Sequence, residues 1–137
     1  MAGNVTSVQI LVDGPRNTTI KYTGVLDASD VSYAVILDPA TLSDMVPNVK
    51  ASTLRLMKVQ FVVEAGLEVR LFWDATAPRP ITTYTGQNKG DYKKFGGLKN
   101  NATGDAGYTG KVGASTQGWA ATQILSFTLV MEFVKCQ

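Results

Sequence analysis

The chain has 137 residues, of which 45% are hydrophobic and 18% charged, and its net charge is +2. A chain of this length buries roughly two thirds of its unfolded surface, so we expect residues 1–137 to form one domain around a single core. The charge is too small to indicate nucleic acid or an anionic membrane as a partner. With no histidine and Cys136 as the one cysteine, imidazole-based catalysis, histidine metal sites and an internal disulfide framework are disfavoured.

The sequence does not show the pattern of a signal peptide or of a membrane-spanning helix. The first residues, Met1–Thr6, do not combine a basic segment with an apolar stretch, which predicts synthesis in a cytoplasm. The apolar run Ile124–Val134 is about half of the ~20 residues that a membrane helix needs, and Ser126, Thr128 and Glu132 interrupt it. We therefore expect a buried strand there and no membrane partner.

The first strand is predicted over Val5–Asp13. Val8, Ile10 and Val12 alternate with polar residues, and Leu11 is the exception to the alternation. A period of two is typical of a strand that buries one face.

A turn and two further strands are expected next. The cluster Asp13–Asn17 contains glycine and proline and predicts a reversal into a second strand with Ile20 and Tyr22 directed inward. Apolar residues at spacing two over Val31–Leu37 predict a third strand, which ends before Pro39 because a residue before proline leaves a ladder readily.

The middle of the chain predicts a crossover followed by a hairpin. Residues 39–52 lack a clear period and read as a connection with one helical turn at 40–45. Two alternating runs follow, Met57–Val63 and Leu67–Trp73, separated by Ala65–Gly66. A two-residue connection whose glycine can adopt positive φ favours a β-hairpin.

Residues 75–118 differ in composition from the rest of the chain. They are rich in Gly, Thr, Asn and Lys and predict only short strands, around 81–85 and 110–115. Loops of this length are uncommon in small domains unless they bind something or are held by a neighbour, so this region is the expected functional surface.

A final strand closes the predicted core. Its apolar residues alternate and share one face: Leu125, Phe127, Leu129, Met131 and Phe133. The count is about eight strands with no convincing helix, which indicates an all-β antiparallel sandwich or barrel.

No motif in the sequence carries an enzymatic signature. Gly104–Lys111 resembles a phosphate-binding loop, but its first glycine is one position too far from the Gly-Lys pair and Val112 replaces the required Ser or Thr. A serine nucleophile would lack its usual base, and no elbow motif surrounds Ser115 or Ser126. We predict no catalytic residue, cofactor, metal site or small-molecule substrate.

The aromatic and basic residues allow three interpretations. Phe72 is out of phase with the core position Trp73 and is expected on the outer face, where an exposed ring indicates a covered surface. Lysines interleave with rings in one further segment: Lys89, Lys93, Lys94 and Lys99 with Tyr84, Tyr92 and Phe95. This segment is a protein-contact loop, a nucleic-acid patch or plain solvated surface, and the modest net charge weakens the nucleic-acid reading.

Four segments together resemble small head proteins of tailed bacteriophages, and within that group the capsid cement, or decoration, proteins. The segments are Asp13–Asn17, Leu71–Thr76, Phe95–Asn101 and Leu129–Glu132, and their order and spacing cover nearly the whole chain. None of them is a catalytic signature. The resemblance implies a jelly-roll β-sandwich of about eight strands that attaches to the outside of an icosahedral shell, without catalysing a reaction.

The resemblance also implies the partners. It predicts contacts with the major capsid protein, association with itself as a dimer or small oligomer, and a location on the virion exterior after synthesis in the host bacterial cytoplasm. Six residues are expected to contact a partner because their pattern exposes them: Arg16, Phe72, Tyr92, Lys93, Lys94 and Phe95.

Two other functions remain open at this stage. A receptor- or carbohydrate-binding module of a tail or fibre would also use a β-sandwich with exposed aromatic rings. A cupin-like enzyme is disfavoured because its metal site relies on imidazole, which this sequence lacks.

Overall fold

The computed structural model of the protein describes residues 4–136, except for the side chain of Phe95. This part of the chain forms nine strands and two short 3-10 turns, at Pro39–Thr41 and Lys93–Phe95. The strands, β1 to β9 in chain order, are Val5–Asp13, Asn17–Leu26, Ala34–Leu37, Thr53–Val63, Glu68–Trp73, Arg79–Tyr84, Gly86–Asp91, Val112–Gln117 and Leu125–Cys136.

The strands form two antiparallel sheets. The five-stranded sheet has the order β1-β2-β9-β4-β7, and the four-stranded sheet has the order β3-β8-β5-β6. The pairings are nested along the chain, because β5 pairs with β6, β4 with β7, β3 with β8 and β2 with β9. The expected all-β antiparallel fold is confirmed, and the two sheets enclose the core as a β-sandwich.

The central strands of the larger sheet follow the predicted periodicity. Ile20 and Tyr22 of β2 are buried as expected, and every second residue of β9 from Leu125 onward is buried. Trp73 of β5 is also in the core, at 2% exposure. In these strands one face meets the opposite sheet and the other meets solvent, so a period of two is preserved.

The predicted hairpin between the two clearest strands is wrong. The tight turn exists, with the Leu67 amide donating to the Glu64 carbonyl at 3.1 Å and Gly66 at φ 89°. However, β4 pairs with β9 and β7, whereas β5 pairs with β8 and β6. The chain therefore crosses from one sheet to the other at this turn, because turn chemistry fixes the reversal but not the strand's hydrogen-bonding partner.

The predicted buried face of β1 is also wrong. Val8 lies opposite Tyr22 and Ile10 opposite Ile20, so both have the expected phase, but both are exposed. The four-stranded sheet does not cover this edge of the five-stranded one. A bulge between Ile10 and Val12 takes up Leu11, the residue that interrupts the alternation.

Other boundaries differ at the edges of the sheets. The third strand is shorter than expected and begins at Ala34, and the crossover contains one 3-10 turn at Pro39–Thr41. The strand Gly86–Asp91 has no apolar side chain and was not predicted. It forms the edge opposite β1, where no face has to be buried and the sequence therefore shows no period.

We predict that Phe133→Ala lowers the free energy of unfolding by about 3–5 kcal/mol, because Phe133 is fully buried in β9 and its truncation leaves a cavity. Ile124→Ala is the control, since that side chain is 61% exposed, and should change stability by less than about 0.5 kcal/mol. Urea unfolding measures both. Equal losses in the two variants would contradict this placement of the core.

Candidate partner-binding surfaces

A buried lysine joins three separate segments at one end of the sandwich. Lys135 of β9 has no exposed side-chain surface. Its Nζ lies 2.8 Å from Asp13 Oδ1, and it donates to the carbonyl oxygens of Gly14 at 2.6 Å and Ser43 at 2.9 Å and to Ser43 Oγ at 3.1 Å. We call Asp13, Gly14, Ser43 and Lys135 the Lys135 cluster. It fixes the end of β1 and the loop at residue 43 against β9.

The carboxylate of the cluster is held in its charged form. Burial raises the pKa of Asp13, but hydrogen bonds from the Lys135 ammonium and from the Ser43 amide and hydroxyl outweigh this, and the pKa falls below its usual value. The Asp13 carboxylate therefore stays ionised to a lower pH than a free aspartate does.

Arg16 lies immediately beyond this cluster, in the turn between β1 and β2. Its backbone carbonyl accepts a 2.7 Å hydrogen bond from the Lys135 amide, and the residue is exposed. Its guanidinium makes no ion pair with a carboxylate among the described residues. The structure thus holds the backbone of Arg16 in place and leaves its guanidinium without a carboxylate partner among the described residues, and its contact with a partner stays a prediction.

Phe72 lies on the outer face of the four-stranded sheet, as predicted, but is half-buried. Its ring is perpendicular to that of Tyr33, with the centroids 5.6 Å apart. The Tyr33 hydroxyl donates to Asp74 Oδ1, and Thr109 Oγ1 donates to Asp74 Oδ2 at 2.6 Å. Burial and the hydrogen bond to Asp74 raise the pKa of Tyr33. Phe72 is therefore part of an aromatic pair rather than a lone exposed ring.

Tyr92 is half-buried rather than exposed. Its ring packs against the core, and its hydroxyl lies 3.2 Å from that of Tyr84. A Cβ at Gly90 would stand 2.7 Å from the Tyr92 hydroxyl oxygen, so the glycine makes room for the ring. Burial and the contact with Tyr92 raise the pKa of Tyr84. Tyr92 therefore anchors its loop to the core.

The two lysines after Tyr92 are on the surface. Lys93 and Lys94 are exposed, and Lys93 Nζ lies 3.6 Å from Glu132 Oε1 on the outer face of β9. The 3-10 turn ends at Gly96, which has the left-handed conformation with φ 83°. The predicted contact of the Phe95 side chain lies outside the described residues.

The six predicted contact residues do not form one site. Arg16 and Gly96, which follows the Lys93–Phe95 turn, line the same groove on the outer side of the five-stranded sheet. Phe72 lies on the outer face of the other sheet. Their contact with a partner stays a prediction for each of these regions separately.

The surface that sequence reasoning missed is β1. Five of its apolar side chains are between 39% and 55% exposed: Val5, Val8, Ile10, Leu11 and Val12. Leu11 was the available signal, because an apolar residue that breaks the alternation places hydrophobic groups on both faces of a strand.

Residues 4–136 contain no group of three or more His, Cys, Asp or Glu side chains placed to hold a metal ion. A helix long and apolar enough to span a membrane was not found in this part of the chain either. Comparisons with family models and with curated proteins gave no match.

We predict that Lys135→Met lowers the free energy of unfolding by about 2 kcal/mol, because it removes the buried ammonium that pairs with the partly exposed Asp13 and donates hydrogen bonds to Gly14 and Ser43, while keeping most of the side-chain volume. Lys111→Met is the matched control. Lys111 is 37% exposed and 3.9 Å from Asp38, so its loss should cost less than about 1 kcal/mol. Urea unfolding of both variants is the measurement, and a smaller loss for Lys135→Met than for the control would contradict the role of the cluster.

The Lys135 cluster also predicts a pH dependence. The pKa of Asp13 is lowered in the folded state, so its contribution to stability is present above the unfolded value of about 3.9 and is lost as the pH falls through the folded value. Asp13→Asn should therefore be less stable than the native chain near neutral pH, and the difference should shrink in strong acid. Denaturant unfolding over this range tests it, and a difference independent of pH would contradict it.

Proposed function

We propose that this chain is a non-enzymatic capsid cement protein that binds the outside of an icosahedral phage head and ties neighbouring major capsid protein subunits together. The resemblance of its sequence segments to phage decoration proteins supports the specific assignment. The β1 edge supports the more general proposal that this chain acts by binding another protein.

The apolar edge strand is the observation that carries this proposal. Natural proteins protect free strand edges with lysine, proline, short length or bulges, because a free edge invites pairing with another chain. The opposite edge of the same sheet follows this rule, since β7 is polar and contains Lys89 and Asp91. β1 has nine residues, no charge between Val5 and Val12, and one bulge. Such a surface suits burial against protein.

β1 is held firmly enough to act as a binding surface. Eight of its residues are paired with β2. At its start, Asn4 Oδ1 accepts hydrogen bonds from the amides of Asp27 and Ala28 at 3.0 and 3.1 Å. At its end, Asp13 belongs to the Lys135 cluster. An edge fixed at both ends loses little conformational entropy on binding, which favours affinity.

The strand pairing supports the jelly-roll part of the proposal. A jelly roll is an antiparallel ribbon of strands wound into two facing sheets. The nested pairs β2–β9, β3–β8, β4–β7 and β5–β6 form such a ribbon, divided between the two sheets. β1 is an additional strand beside this set of eight, and it is the one that provides the apolar edge.

The proposed mechanism is thermodynamic. A protein that binds the assembled shell and not its free subunits stabilises the shell by mass action. Weak contacts repeated by the symmetry of the lattice add their effects, so no single contact has to be strong. This role needs no acid, base or metal, in keeping with a sequence that has no histidine.

A carbohydrate- or receptor-binding role is the second candidate, and the Tyr33–Phe72 pair favours it. Tyr33 is 38% exposed beside Phe72, and its hydroxyl donates a hydrogen bond to Asp74. Rings next to a carboxylate can stack on a sugar and accept hydrogen bonds from its hydroxyl groups.

Copy number distinguishes the two functions. Quantitative mass spectrometry of purified particles should give this chain in a ratio to the major capsid protein near one or a simple fraction set by the lattice. A handful of copies per particle, together with glycan binding that Phe72→Ala abolishes, would favour the second candidate and contradict the cement role.

We predict that Ile10→Lys reduces the occupancy of the chain on purified heads by at least tenfold. The substitution places a charge in an edge that must be desolvated on binding. Because Ile10 is 45% exposed, a lysine at this position can reach solvent and the fold stays intact. Val62→Lys is the control, because Val62 is 51% exposed in the same sheet but lies away from β1. Sedimentation of heads mixed with each variant measures occupancy, with thermal unfolding as the folding check. Equal occupancy of both variants would contradict the β1 contact.

Deletion of residues 86–101 could be chosen to test partner contact, because the sequence predicts a polar loop there. The structure makes this deletion unsuitable. This segment contains β7, which pairs with β4 over six residues, and Leu98, which exchanges backbone hydrogen bonds with Leu56. Its removal would expose β4 and unfold the core around Tyr92. Point substitutions are therefore the appropriate variants.

A further inference from the structure

A groove of about 600 Å³ lies on the outer side of the five-stranded sheet, next to the Lys135 cluster. Its apolar lining comes from a loop and two neighbouring strands: Met45, Val46, Met57 and Val134. Val46 is 56% exposed although it belongs to this apolar lining. A concave apolar surface of this kind matches the size and composition of peptide- and ligand-binding sites.

The charged side chains that line the groove are basic. Among the described residues, Arg16, Arg55 and Lys135 line it, and no acidic side chain does. Lys135 is already neutralised by Asp13. Arg55 makes a long contact, 3.5 Å, with the carbonyl oxygen of Gly96, and neither arginine has a carboxylate partner among the described residues. Two guanidiniums beside an apolar surface are thus available for an external anion.

We propose that this groove binds a peptide segment of the capsid protein that carries an apolar side chain next to an aspartate or glutamate. The apolar side chain enters between Met45, Val46 and Met57, and the carboxylate pairs with the guanidiniums. Guanidinium groups favour this arrangement because their planar set of N–H donors binds a carboxylate through two parallel hydrogen bonds.

The walls of the groove are fixed before a partner arrives. Pro15 and Arg16 follow Gly14, and Met45 and Val46 follow Ser43, so each wall starts at a residue that the Lys135 ammonium holds. A hydrogen bond from the Met45 amide to the Val49 carbonyl, 2.8 Å long, closes the second wall. A site already in its bound shape gives up less entropy when it is filled.

This inference rests on the proposed cement function, and Cys136 allows the two to be tested separately. Cys136 is the one cysteine of the chain and lines the groove. Purified heads that lack this protein are mixed with the full chain, and the rate at which a maleimide dye modifies Cys136 is compared for free and bound protein. We expect a decrease of at least tenfold on binding.

Charge substitutions test whether a carboxylate of the partner pairs with the two arginines. We expect the Arg16→Gln/Arg55→Gln double variant to bind heads at least tenfold more weakly, with affinity that depends less on salt. Arg70→Gln/Lys111→Gln removes the same net charge from β5 of the other sheet and from the loop residue before β8, and should bind as the native chain does. Near-equal weakening in both double variants would overturn the groove contact in favour of a general charge effect.

The partner segment is identified by zero-length cross-linking. In an Arg16→Lys variant bound to heads, carbodiimide couples a contacting carboxylate to the new amine as an amide, with the lost water taken up by the reagent. We expect the product to join residue 16 to a capsid-protein peptide with an acidic residue beside an apolar one. A product joining residue 16 to a second copy of this chain, or no product at this position, would overturn the inference.

The outcomes separate the two proposals. A chain that does not bind heads at all contradicts the cement function. A chain that binds heads while Cys136 remains as reactive as in the free protein leaves the cement function standing and overturns the groove.

Discussion

The buried ammonium of Lys135 is the interaction on which both proposed binding surfaces depend. An ammonium group without solvent contact is tolerated only when it is paired and hydrogen-bonded, because its desolvation otherwise costs several kcal/mol (about 3–5 when one partner is removed). Asp13, Gly14 and Ser43 meet this requirement, although Asp13 lies 122 positions and Ser43 lies 92 positions before Lys135 in the sequence. By satisfying one charge, the chain fixes the end of β1 and both walls of the groove.

The unequal widths of the two sheets explain why hydrophobic side chains remain on the surface. The five-stranded sheet extends beyond the four-stranded one at β1, so Val8 and Ile10 have the phase of core residues but no sheet above them. The two surfaces then differ in what they recognise. A strand edge binds through backbone hydrogen bonds and apolar contact and discriminates little between partners, whereas the arginine-lined groove selects for charge.

Local chemistry predicted those parts of the fold that depend on neighbours in the sequence. The alternation in β2 and β9 predicted the buried faces, and Ala65–Gly66 predicted a turn. The strand partners could not be predicted, because the same turn serves a hairpin or a crossing between sheets. The predicted burial of β1 was wrong for a related reason. Periodicity shows which side chains share a face of a strand, but only the opposite sheet decides whether that face is covered. Arg16 could be proposed from its predicted exposure, but Arg55 lies in a strand with no distinguishing pattern, and only the fold brings it to the groove.

In the proposed role, the separation of the two surfaces has a consequence for selectivity. The β1 edge and the groove are connected through Asp13, which ends the strand and also takes part in the cluster that holds the groove walls. A partner that offers both a strand or apolar surface and an acidic segment at the matching distance is bound twice, and the second contact forms at high effective concentration. Where the two features belong to neighbouring capsid subunits, only the assembled lattice would hold them at one spacing. Selectivity for the shell over its subunits can therefore arise from geometry, even when each contact alone is weak.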